Sequence, residues 1–282
     1  MLKKCCSTFV LVLAGAAFAQ EKQPAPANDA QHATTVPAEH DSPLIDARAD
    51  AALRQMCDFL KKLPEFRYVS EVHNDQFMRD GQKIELTRRL TVELKRPSMT
   101  HLISTGDDGD YESFFDGDKC TVVNQTARVY SVVDTPNSLE ESRDYMAEKY
   151  DMEMPNSDIL MSDPYKELTD DVLTGKYVGQ HRVGDTLCHH LAFTQTNVDW
   201  QVWIAQGDKP LPRKFIVTYK KEPGVPQFVA EYTNWELAPK MDAKAFAYQP
   251  KRDFHKVELE PVDGAATQQV GHTEQAAPAH KD

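Results

Sequence analysis

From Phe66 onward the chain breaks into a long series of strand-length segments whose connections are too short for crossovers. Candidate strands cover residues 66–72, 82–95, 99–105, 111–116, 119–124 and 127–133. A second series covers 176–183, 186–195, 198–206, 211–221, 226–237 and the short stretch 245–248. Gly81, Asp107-Asp108-Gly109 and Asp116-Gly117-Asp118 punctuate the first series, and Asp-Gly is a strong hairpin signal. Short links between successive strands predict antiparallel meanders. A sheet of about 11 strands must curl, split or close on itself.

Within the second series, Tyr177–Trp235 holds all three tryptophans. Side chains alternate across a strand, so Leu187, Leu191 and Phe193 share one face. The same holds for Trp200, Val202 and Ile204, and for Phe215, Val217 and Tyr219. Trp200 and Trp203 fall on opposite faces of one strand. If the sheet curls around a helix, its concave face is either packed core or a ligand hollow.

Two helical regions interrupt the strands. Ile45, Ala49, Leu53, Met56, Phe59, Leu60 and Leu63 recur at three- and four-residue steps, which predicts an amphipathic helix capped near Ser42-Pro43 and stopped by Pro64. In mid-chain, Ser138-Leu139-Glu140-Glu141 reads as a capping box opening a helix to about Tyr150. Asp163-Pro164 caps another, expected to end near Gly175. This insert carries Met146, Met152, Met154 and Met161, four of the nine methionines. Met146, Met154 and Met161 are candidates for a soft lid, since methionine adapts to variable apolar partners; gap-filling in the core is the alternative.

The ends address the chain. Lys3-Lys4, the apolar run Phe9–Ala19 and the small-x-small Ala17-Phe18-Ala19 form a signal peptide, with cleavage expected after Ala19. The run is too short for a transmembrane helix. Leu13-Ala14-Gly15-Ala16 has Ala where a lipoprotein box needs Cys, so a soluble periplasmic protein is expected. Residues 20–43 hold four prolines and no aromatic, and read as a disordered linker. Residues 251–282 read as a disordered tail, leaving a domain over 44–250.

The 32 Lys and Arg against 44 Asp and Glu give a net charge of −12, and removal of Lys3 and Lys4 makes the mature chain more acidic still. Nucleic acid and anionic membrane surfaces are not expected partners for such a balance. Mature Cys57, Cys120 and Cys188 allow one disulfide with one thiol over, or three buried thiols.

Candidate chemistry is sparse. Cys188-His189-His190 cannot present three ligands together on a strand, because His189 faces away from its neighbours. Asp107, Asp108, Asp110, Glu112, Asp116 and Asp118 lack EF-hand spacing and read as hairpin turns. No G-x-S-x-G, H-E-x-x-H, P-loop or G-x-G-x-x-G occurs. No metal, no cofactor and no catalytic residue is predicted.

A resemblance adds to this reading. The turn Phe115–Lys119 (FDGDK), the acidic helical lead from Leu139, YVG at Tyr177 and CHHLAF at Cys188–Phe193 form a pattern. DWQVWI at Asp199–Ile204, PLPRKFIVTY at Pro210–Tyr219 and FAYQP from Phe246 continue it. Together they resemble the LolA/LolB-like superfamily of periplasmic lipoprotein carriers, and within it a family of predicted periplasmic proteins of unknown function. The likeness implies a mainly β (α+β) fold: an antiparallel half-barrel covered by an N-terminal helix and a mid-chain helical insert. It implies a lipid or acyl ligand, lined here by Leu191, Phe193, Trp200, Val202, Ile204, Phe215, Val217 and Tyr219. The alternative on the same fold is an envelope interaction or sensor module without lipid cargo.

Overall fold

In the computed structural model, which describes residues 44–78 and 80–262, one open sheet runs through the described residues. Its first half is a meander of β2 (Glu65–Phe77), β3 (Lys83–Lys95), β4 (Met99–Gly106), β5 (Gly109–Phe115), β6 (Lys119–Asn124) and β7 (Val129–Asp134). Its second half is β8 (Thr174–Val183), β9 (Thr186–Thr194), β10 (Val198–Ala205), β11 (Pro212–Tyr219) and β12 (Gln227–Leu237). The antiparallel pairing of β12 with β2 joins the halves, with Tyr232 opposite Ser70 and Ala230 opposite Val72.

Two short strands complete a 13-stranded sheet: β1 (Leu44–Ile45) pairs parallel with β8, and β13 (His255–Lys256) pairs parallel with β7. Neither was expected, since two residues carry no periodicity. β13 lies beyond Pro250, and Leu259 also packs, against Val122, Val133 and Met146. Residues 245–248 do not form a strand; a 3₁₀ turn occupies Ala243–Phe246 and buries Phe246 completely. The predicted signal peptide and linker, and the tail after Val262, lie outside the described residues.

α1 (Ala47–Lys62) begins later than its apolar stripe suggested, because Leu44 and Ile45 are held in β1. Its cap is Asp46, whose Oδ1 accepts from the backbone of Arg48 at 2.7 Å and Ala49 at 3.2 Å. Such a cap contributes about 1 kcal/mol. Ala49, Ala52, Leu53, Met56, Cys57 and Leu60 form its buried face, and Lys61 and Lys62 complement the negative end of the helix dipole.

The mid-chain insert folds as α2 (Leu139–Tyr150), a 3₁₀ turn (Ser157–Leu160) and α3 (Pro164–Thr169). The expected cap forms: the Ser138 hydroxyl accepts from Glu141 N at 3.1 Å and donates to its carboxylate at 2.9 Å. Asp163 caps α3 through Lys166 N at 3.1 Å. That helix stops at Thr169, short of the expected Gly175, and the chain turns at Asp171 (φ +60°) into β8.

Candidate functional site: the concave face and its helical cap

Register fixes which residues share the concave face. Leu191 pairs with Val202 and Phe193 with Trp200; Trp200 pairs with Val217 and Val202 with Phe215. The row continues through Ala230 opposite Phe215 and Phe228 opposite Val217 into Val72, then Tyr68 opposite Val92 and Phe66 opposite Leu94. A single apolar layer therefore spans both meanders. α1, the 3₁₀ turn at 157–160 and α3 cover it, contributing Leu53, Met56, Leu60, Ile159, Leu160 and Leu168 to the same buried cluster.

All eight residues expected to line a ligand space lie in this cluster, from 0% exposure at Trp200, Val202, Leu191, Phe215 and Val217 to 7% at Tyr219. Trp200 stacks between Phe193 (4.0 Å) and Phe215 (5.3 Å). The three lid methionines do not come together. Met161 is buried in the main cluster, Met146 packs separately on Val122 and Val133, and Met154 is half-buried before the 3₁₀ turn. Insert position alone could not separate them, because Met146 lies on α2, Met154 before the 3₁₀ turn and Met161 after it.

Polar contacts hold the cap in place. Arg143 on α2 binds three carboxylates: Asp144 Oδ1 at 3.0 Å, Asp158 Oδ1 at 3.2 Å and Glu167 Oε2 at 3.0 Å. Burial raises the Asp158 carboxyl above its ordinary range. From the β3–β4 turn, the Arg96 guanidinium donates to the carbonyls of Leu160 (3.2 Å), Met161 (3.1 Å) and Leu60 (3.5 Å), closing the ends of α1 and the 3₁₀ turn. Tyr165 of α3 donates to Asp50 of α1, and Arg54 lies over the Tyr165 ring. On the sheet, Arg88 is buried on the concave face and pairs with Asp108 in the β4–β5 hairpin.

The residues that suggested metal or nucleophile chemistry have structural partners. Tyr177 and His189 Nδ1 lie 2.9 Å apart on the concave side. Across the strand, His190 contacts His181 (2.9 Å) and Gln201 (3.0 Å) and stacks on Trp203 at 3.9 Å. Burial keeps the His190 imidazole below its usual basicity. Cys57, Cys120 and Cys188 are free thiols, each made less acidic by burial. The hairpin aspartates serve the turns: Asp107 accepts from Thr87 N at 2.8 Å, and Asp116 from Asp118 N and Lys119 N. Among the described residues, no group of His, Cys, Asp and Glu could hold a metal ion, and no helix is long and apolar enough to cross a membrane.

Phe66, Tyr68, Phe228 and Tyr232, none of them among the expected lining residues, extend the layer across the seam. Alternation through Phe66, Tyr68, Ser70 and Val72 was the available signal for the first two.

Several solved structures are similar to this chain. LppX, a lipoprotein of Mycobacterium tuberculosis, is 14% identical, with 70% of this chain and 99% of that one covered and a TM-score of 0.45. An uncharacterized conserved protein from Thermus thermophilus is 10% identical over 75% of this chain and 99% of its own, with a TM-score of 0.43. A LolA superfamily protein from Nitrosomonas europaea is 12% identical over 71% and 97%, with a TM-score of 0.37. No curated protein matches the chain. The model of one family, described as predicted periplasmic protein (DUF2092), matches residues 49–260, nearly the whole described sheet and its cap. The chain belongs to that family of predicted periplasmic proteins.

Proposed function

We propose that this chain is a periplasmic, non-enzymatic protein that holds a lipid or acyl group between the concave face of its sheet and its helical cap. A cleavable signal peptide directs its export and is cut off after Ala19. One observation carries the reading. The apolar layer from Phe193 to Leu94 is continuous across the seam, and the buried faces of α1, the 3₁₀ turn and α3 lie over it as one detachable cover, tied to the sheet by Arg96. Burial of each methylene stabilises a complex by about 0.8 kcal/mol, so one fatty chain supplies roughly 10 kcal/mol before ordering costs. No charged signature is needed for that.

The near-zero exposure of Trp200 and Val202 supports the rival reading, an envelope interaction module with a packed interior. A ligand reaches those side chains only when α1 lifts from the sheet. Organic extraction of protein purified from the periplasm, followed by mass spectrometry, separates the two. Co-purified acyl lipid in near-stoichiometric amount is the expected result. Lipid-free protein that also refuses added acyl probes would overturn the lipid reading.

A further inference from the structure

The seam of the sheet buries polar atoms that its own neighbours leave unsatisfied. Tyr232 stands on β12 opposite Ser70, is 3% exposed, and its hydroxyl has no hydrogen-bond partner among the described residues. Trp235 follows in the irregularity between Thr233 and Glu236, and its indole Nε1 is also buried without a partner among them. The two rings lie 6.0 Å apart, and both pack on Tyr68, at 5.2 Å and 4.7 Å. Tyr232 and Tyr68 share the buried cluster of Ile159, Leu160 and Met161, and the charge of Asp158 acts on the Tyr232 hydroxyl. Tyr232 therefore belongs to the layer that the cap covers, and Trp235 packs against that layer.

A buried donor without an acceptor is destabilising, and such groups are rare in folded proteins. An indole N–H only donates, and a phenol O–H donates or accepts. An acceptor oxygen satisfies both, whereas a hydrocarbon satisfies neither. In the cap, the Arg143 guanidinium is shared by three carboxylates and that of Arg96 by the carbonyls of Leu60, Leu160 and Met161, so both cations are already engaged and an anionic head group is disfavoured.

We propose that Tyr232 and Trp235 form a hydrogen-bonding anchor for the carbonyl of a neutral acyl ester or amide. The Phe66, Tyr68 and Trp235 rings supply the apolar contact beside it. This inference rests on the lipid-holding reading and adds the chemical class of the ligand. A site built to hydrogen-bond a ligand group discriminates against analogues that lack it.

The test titrates the full-length mature protein with 1-palmitoylglycerol, palmitate and hexadecane, with Tyr232→Phe and Trp235→Phe beside wild type. Wild type is expected to bind the ester more tightly than either competitor at pH 7. Tyr232→Phe is expected to weaken ester binding about three- to tenfold and leave hexadecane unchanged. Its ligand-free melting temperature should equal or exceed that of wild type, which separates lost binding from lost folding. Equal binding of ester and hexadecane, or an unchanged ester affinity in both variants, would overturn the anchor while leaving the lipid-holding reading intact. Tightest binding of palmitate would overturn the neutral head group. Binding of none of the three would overturn both proposals.

Discussion

The ring of Phe193 lies over Gly175, the residue that faces it across β8 and β9. A Cβ added at Gly175 would come within 2.7 Å of that ring and 2.9 Å of Ile45 Cγ2. Phe193 cannot retreat freely, because Trp200 stacks on its other side at 4.0 Å. Gly175→Val is therefore expected to destabilise the protein by about 1–3 kcal/mol through overpacking. Urea unfolding measures it, and a variant as stable as wild type would show that β1 shifts at no cost.

Arg143 is shared by Asp144, Asp158 and Glu167. Arg143→Met removes the guanidinium from Asp158 and Glu167, and a loss of about 3–5 kcal/mol at pH 7 is expected, as for other half-broken buried pairs. The Asp158 carboxyl is raised in the folded state, so its contribution is full below the unfolded pKa and is lost as pH rises through the folded one. Asp158→Asn should therefore lack the part of the wild-type stability gain that appears on acidification. Parallel pH curves for wild type and Asp158→Asn would exclude this role.

Glu93 has the opposite sign. On the convex face its carboxylate is held below the usual glutamate range, first by His101 (Nδ1 at 3.2 Å) and then by Arg67. Glu236 shares Arg67 from the other side, at 3.2 Å. This stability is present above the unfolded value near 4.5 and is lost as pH falls through the lower folded value. Between about pH 5 and pH 3, Glu93→Gln should show a shallower fall in melting temperature than wild type. An equally steep fall would place the acid sensitivity elsewhere.

Asp46→Ala should cost about 1 kcal/mol by removing the cap of α1. Hydrogen exchange at Arg48 and Ala49 should rise while β2–β4 amides stay protected. Unchanged exchange at the first turn would mean that β1 alone holds the helix start.

A charged substitution in the apolar layer is a poor probe of ligand binding. Val202 is fully buried between Leu191 and Phe215, so Val202→Asp places an unpaired carboxylate in the core. Its expected outcome is unfolding, visible by circular dichroism before any ligand is added.

The parts of this fold legible in sequence are those with a period. The β10 residues alternate strictly, so the opposed faces of Trp200 and Trp203 follow from parity alone, as does the separation of His189 from Cys188 and His190. Ser138 and Glu141 show a cap because two side chains answer each other locally. The anchor at Tyr232 and Trp235 was illegible for the converse reason. Strict alternation from Tyr232 would point Trp235 to the convex face, but Asn234 takes a left-handed φ of +50° and the register shifts, which returns the indole to Tyr68. The lid methionines show the limit of composition, since three residues close in sequence went to three environments.

The β12–β2 seam also sets the order in which the molecule can assemble. Each meander pairs neighbours in sequence and closes short loops, whereas Tyr232 meets Ser70 only after the whole insert and both runs of strands have been spanned. Loop-closure entropy makes that contact the slow one. The seam is then the kinetic gate of folding, and the aromatic anchor comes into existence only when the two halves zip together.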